Sequence, residues 1–227
     1  GWMSGAKPLA RKMRDLCWVQ QGITPDKITG LDYWLRADSN VLTTISGIDT
    51  LVYSWGSKAG TSRPVVRGTA SPTLASQPKF VTDALNKQPG ISFDGVNDSL
   101  SNITSWEDLE EPLTIIFVAS SPTVVPSANA RYVFLNSVSS MSIYFNQNGK
   151  YTLSKGGTVL DSGIYADTDG LFRTHRVEFS NDALSNNWWK DSSNVVVDKT
   201  LSDGVANILY LGGYISAGYS TTTFCEL

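Results

Sequence analysis

Hydrophobic and polar residues follow one rhythm at the start of this chain and another through the rest. Over residues 6–17 the apolar positions Ala6, Leu9, Ala10, Met13, Leu16 and Cys17 recur at helical spacing, while Lys7, Arg11, Lys12 and Arg14 lie elsewhere. That is the pattern of a short basic amphipathic helix, with Pro8 suited to its first turn. A helix of this length is not stable alone, so its apolar face must pack on something. It packs either on its own domain or on a neighbouring subunit, with Leu9, Arg11, Met13 and Leu16 as docking residues in the second case. Gly22 and Pro25 end the pattern, and residues 20–25 read as a linker.

From Thr29 onward the period falls to two. Leu31, Tyr33 and Leu35 alternate with Asp32, Trp34 and Arg36, which predicts a first strand, and residues 50–55 predict another. Residues 61–90 hold Pro64, Pro72, Pro78 and Pro89 and read as mostly loop with short extended pieces. Over residues 89–100, Ile91 and Phe93 alternate with Ser92 and Asp94. Asp94-Gly95 and Asn97-Asp98 then supply turn residues, and Leu100 restarts the apolar pattern, so a central β-hairpin is expected here. Residues 113–119 form an almost unbroken apolar run, expected as a strand buried on both faces. Short strands continue at 132–135, 141–145, 151–154, 158–160, 175–179, 187–189, 195–197 and 208–211, with Asn146 to Gly149 as a hairpin turn. The chain divides into a helical arm and linker at 1–28 and one all-β domain at 29–227, an antiparallel two-sheet sandwich or jelly roll.

Composition narrows the function classes. A chain of 227 residues, 41% apolar and 17% charged, can bury a real core. Its net charge of -3 argues against a dedicated nucleic-acid binder. No apolar run approaches the roughly 18 residues of a membrane span. The chain opens on Gly1 with no secretory core after it, which suggests a part of a longer product or a renumbered one. Cys17 and Cys225 sit near opposite ends and could pair or stand as two free thiols.

The order of these pieces resembles the concanavalin A-like lectin/glucanase jelly rolls, and among them the laminin-G-like domains of phage and bacterial surface proteins. The resemblance rests on residues 28–38 as the opening strand and 52–60 as the Trp-turn-Gly segment. Residues 77–81 and 84–98 follow, with 113–118, 175–179 and 209–213 as later strands. It implies a β-sandwich placed on a virion or extracellular surface. The family's last strand follows the place of Phe224, so that strand is expected to be missing here or supplied from outside.

Candidate chemistry is sparse. Glycoside hydrolysis needs two carboxylates across a sugar. The acidic run Glu107, Asp108, Glu110 and Glu111 reads as a solvated loop, and Glu178 has no partner two residues away. No enzyme is expected. His175, the single histidine, opens an apolar strand and reads as structural. Asp94, Asn97 and Asp98 could take calcium, as oxygen-rich loops of laminin-G-like domains sometimes do, or could shape the turn by Asx hydrogen bonds. Trp188 and Trp189 face opposite ways on a strand, so one can enter the core while the other stacks on a sugar. The function expected is a non-catalytic structural or recognition component of a phage particle or bacterial surface assembly. It would bind a surface glycan or a neighbouring subunit. The alternative is a carbohydrate-binding module of a larger secreted enzyme.

Overall fold

The structure, a computed structural model, describes residues 25–31, 33–59, 65–67, 76–101, 112–121, 123, 130–136, 141–155, 158–165, 167–180, 186–199, 208–214, 218–219 and 221–226. The expected helix with Leu9, Arg11, Met13 and Leu16 lies outside these residues, as do Cys17 and the acidic run at 107–111. Among the described residues, the 3-10 turn at Pro25–Lys27 is followed by strands, and every pairing is antiparallel. The all-β reading of the alternation therefore holds.

The strands run in chain order. They are β1 (Val41–Ser46), β2 (Asp49–Trp55), β3 (Val65–Arg67), β4 (Lys79–Leu85), β5 (Gln88–Asp94), β6 (Leu100–Ser101) and β7 (Leu113–Ser120). Then come β8 (Ala130–Asn136), β9 (Met141–Phe145), β10 (Lys150–Lys155), β11 (Thr158–Tyr165), β12 (Phe172–Phe179) and β13 (Asn186–Lys190). The last are β14 (Ser193–Lys199), β15 (Ile208–Leu211), β16 (Gly213–Tyr214), β17 (Gly218–Tyr219) and β18 (Thr221–Glu226).

Pairing divides at β2. One edge of β2 meets β1, and the other is shared between β3, at Ser54 and Trp55, and β4, at Leu51. Two limbs grow from that fork. One runs β3-β6-β15-β8-β9-β10-β11 and the other β4-β5-β18-β7-β12-β13-β14. They lie face to face. The Tyr151 ring on β10 meets Trp188 on β13 edge-on at 4.9 Å, and Lys155 Nζ on β10 donates to the Ser180 carbonyl beyond β12 at 3.0 Å. Between the limbs Trp55, Phe93, Phe117, Phe145, Phe179 and Phe224 are at most 1% exposed. Burial of that order contributes about 1.5–3 kcal/mol for each large apolar side chain.

Several expectations need correction. Residues 89–100 are not a hairpin: β5 pairs with β4 and β18, whereas β6 pairs with β3 and β15. The turn at 94–98 carries the chain from one limb to the other. The hairpin here is β4–β5, whose first strand and turn lie in the stretch expected as mostly loop with short extended pieces, and it closes at Asn86-Lys87 with φ of 51° and 64°. Two positive φ values make the twisted two-residue turn that suits a hairpin, but Lys at the second position hides it from a search for glycine. β7 is not buried on both faces. Phe117 and Ala119 point inward while Ile116 is 40% exposed, so the strand is half-buried. Among the described residues of the opening segment there is no ladder, and Arg36 bridges to Glu226. β18 holds Phe224 itself, is inserted between β5 and β7, and touches the opening segment through that bridge. Trp34 Nε1 donating to Glu226 Oε1 at 2.8 Å and the Ala37 amide donating to the Cys225 carbonyl at 3.0 Å fasten the two chain regions together.

Candidate recognition face

β13 is where the two tryptophans separate. Trp188 stands opposite Val177 of β12, whose side chain is fully buried, and Trp189 stands opposite Arg176, which is exposed. The two-residue period therefore turns Trp188 inward and Trp189 outward. Trp188 is 0% exposed, packed on Tyr151 and His175, with its Nε1 donating to His175 Nδ1 at 3.2 Å. It cannot stack on a sugar and is withdrawn as a glycan-binding candidate.

His175 is the structural histidine expected. It is 0% exposed and stacks on Phe117 at 4.6 Å, and the bond from Trp188 requires an unprotonated Nδ1. Burial, helped by the charges of Lys190 and Arg173, drives its pKa down to about 3. Above it lies a rim of charges. Asp167 accepts from Lys190 Nζ and from Arg173 Nε, and Arg173 also pairs with Asp169 and Asp191. Burial works to raise the Asp167 pKa, and Lys190 and Arg173 outweigh it and hold it low. These charges satisfy one another and lock the corner where residues 167–171 cross between limbs.

Trp189 sits on the opposite, outer face. Register places Ile116, Arg176, Trp189 and Asn194 in one row across β7, β12, β13 and β14. The Arg176 guanidinium carbon lies 4.0 Å from the Trp189 ring centroid, within cation–π range, and Arg176 Nη2 meets Glu178 Oε1 at 3.2 Å. Ile116 extends the apolar ground of the row, while Thr114 and Thr174 add hydroxyls to the same face. An aromatic plane flanked by a guanidinium, a carboxylate and hydroxyls is suited to a polyhydroxylated ring. Sequence reasoning missed Arg176, although its alternation with Val177 carried the signal.

The turn residues Asp94, Asn97 and Asp98 are brought together, and their geometry is that of a backbone clamp. Asp94 Oδ1 accepts from the amides of Val96, Asn97 and Asp98 at 2.8, 3.2 and 3.3 Å, and Asp98 Oδ2 accepts from the Asp94 amide at 3.0 Å. Asp98 is 4% exposed, and burial, reinforced by the Asp94 charge, raises its pKa to about 6. One Asp94 carboxylate oxygen is thus taken up by three backbone amides, the Asx pattern that shapes a turn. Among the described residues no group of three or more His, Cys, Asp or Glu could hold a metal. Asp94→Ala is expected to cost about 1–3 kcal/mol, the range for orphaned amides, and to cost the same with and without calcium in thermal melts. A calcium-dependent difference would make the turn a metal site. Cys225 is a half-buried free thiol whose pKa burial and Glu226 push up to about 12.

No family model matches the sequence, and no curated protein matches it. Solved structures do match. Trypanosoma rangeli sialidase in complex with the inhibitor DANA is similar over 82% of this chain and 29% of that one, with 10% identity and a TM-score of 0.51. The same sialidase in complex with sialic acid is similar over 86% and 29%, with 10% identity and a TM-score of 0.52. The mouse laminin alpha1 chain, domains LG4-5, is similar over 59% of this chain and 41% of that one, with 13% identity and a TM-score of 0.33. The sialidase likeness is one of fold, and this chain spans 29% of the length of that sialidase. The antiparallel two-layer arrangement is the β-sandwich expected from the sequence.

Proposed function

We propose that this chain is a non-catalytic jelly-roll recognition module that binds a surface glycan through the outer face around Trp189. The observation that supports it is the separation of the tryptophan pair, which leaves one indole outward on the sheet face among polar side chains. A sugar displaces the Arg176 guanidinium from the indole, and the freed guanidinium donates to its hydroxyls or to an acidic substituent. Carboxylates away from this face are engaged in the fold, Glu226 with Trp34 and Asp167, Asp169 and Asp191 with the rim cations, and Glu178 on the face pairs with Arg176 without a second carboxylate in its row. That commitment supports a binding role over hydrolysis. Among the described residues no helix is long and apolar enough to cross a membrane.

The module's place on a phage particle or bacterial surface assembly, with other subunits of that assembly as further partners, rests on the sequence resemblance alone. The second reading, a carbohydrate-binding module of a larger secreted enzyme, is favoured by one fact. The same fold occurs in the sialidase as under a third of a longer chain. A glycan array probed with and without calcium tests the proposal. Binding to a defined class of oligosaccharide, unaffected by calcium and lost in Trp189→Ala, is expected. An array without signal, or one on which Trp189→Ala binds as well as the parent, contradicts it.

A further inference from the structure

The β1 strand is a sheet edge that no described strand covers. At the other end of the strand order β11 and β14 approach each other. β1 pairs with β2 alone among the described strands, and its six residues, Val41 to Ser46, include no charge and no proline. Natural edge strands are normally blunted by charge, proline or a bulge, because an open row of amides and carbonyls templates another strand. The irregularity in the β1–β2 pair falls at Tyr53 of β2, which leaves the β1 backbone itself regular. The same hairpin exposes apolar side chains: Leu42 is 52% exposed, Ile45 81% and Ile48 101%.

We propose that β1 pairs with β1 of a second copy of this chain, antiparallel about a two-fold axis through Thr44. An uncharged strand is complementary to itself, since antiparallel pairing brings no like charges together. With Thr44 opposite Thr44, the register sets Thr43 opposite Ile45 and Leu42 opposite Ser46, and each pair shares a sheet face. The sheet then continues across two molecules. This interface is separate from the Trp189 face, and its success or failure leaves the glycan reading untouched.

Sedimentation equilibrium of the full chain, from micromolar to near-millimolar protein, reads the association directly. A concentration-dependent dimer is expected. Thr44→Lys and Thr44→Glu should each be monomeric, because the substitution meets its own copy across the axis, and their equimolar mixture should dimerise again. Circular dichroism melts establish that the variants fold. If either variant fails to fold, Ile45→Lys, at an exposed position, should still weaken the dimer. A parent that stays monomeric throughout overturns the proposal and leaves the edge to an extended segment of another protein. A dimer that these substitutions leave intact, or folded monomeric variants whose mixture stays monomeric, also overturns it.

Discussion

Gly212→Ala is expected to destabilise the domain by several kcal/mol. A Cβ at this position would overlap Cδ1 and Cε1 of the Phe93 ring. The Phe93 ring is 1% exposed and held edge-on by Phe224 at 5.8 Å, so it has no room to retreat. The backbone adds its own penalty. Gly212 has φ of +79°, which costs a residue with a Cβ about 1–2 kcal/mol, and overpacking a core typically costs about 1–3 kcal/mol more. Phe93→Ala should separately cost about 3–5 kcal/mol through the cavity it opens. The two changes touch one space, so they should not add. The alanine methyl at 212 enters the void left by Phe93, and the double variant should be less destabilised than the sum by about 1–3 kcal/mol. Urea denaturation of the four proteins measures this. Additive effects, or a mild Phe93→Ala, would mean that the limbs do not meet at this point.

The second large effect is on acid stability, where two buried groups oppose each other. The folded pKa of His175 lies below its ordinary 6.5, at about 3, so its contribution is present above pH 6.5 and lost as the pH falls toward 3. Asp98 has the reverse sign. Its folded pKa is raised from 3.8 to about 6, so its contribution is present below pH 3.8 and lost as the pH rises through 6. Each amounts to about 1.4 kcal/mol per pH unit where one state is protonated and the other is not. Between pH 6 and 4 the two nearly cancel, and the parent should be almost flat. Below pH 4 only the histidine term remains, and stability should fall. His175→Asn, which keeps an acceptor for Trp188 and cannot titrate, should become more stable on acidification to pH 4. Asp98→Asn should lose about 1.4 kcal/mol per unit over the same interval. Denaturant titrations at each pH would show the two slopes diverge, and identical slopes in all three proteins would contradict the burial of both groups.

Much of the architecture was legible in local pattern. The alternation of residues 175–179 reappears as the alternating burial of β12, and the face that Ile91 and Phe93 share by their alternation is buried, both at or below 1% exposure. The hairpin turn at Asn146 to Gly149 also stands, with Asn146 Oδ1 accepting from the amides of Asn148 and Lys150. What local pattern could not carry was the partner of each strand. A period of two says which side chains share a face and is silent on the neighbour, so β5 and β6 read as a hairpin although they belong to different limbs. The insertion of β18 between β5 and β7 joins residues more than a hundred positions apart, beyond any window of periodicity. The unbroken run of β7 misled because apolar content does not report which face is covered, and Ile116 belongs to the outer row. At the candidate site the opposition of Trp188 and Trp189 was readable, but which of them faced out was not. That choice depends on Val177 and Arg176 across the strand gap.

The indole resonances of the two tryptophans put the recognition proposal to its most direct test. In a proton–nitrogen correlation spectrum, the Nε1–H signal of Trp188, bonded to His175 in the core, and that of Trp189, on the outer face, report separately. Titration with the best oligosaccharide from the array should shift the Trp189 signal, and the backbone amides of Arg176 and Ile116 with it, while Trp188 stays in place. Saturable binding that leaves Trp189 unmoved and perturbs another part of the surface would contradict the account.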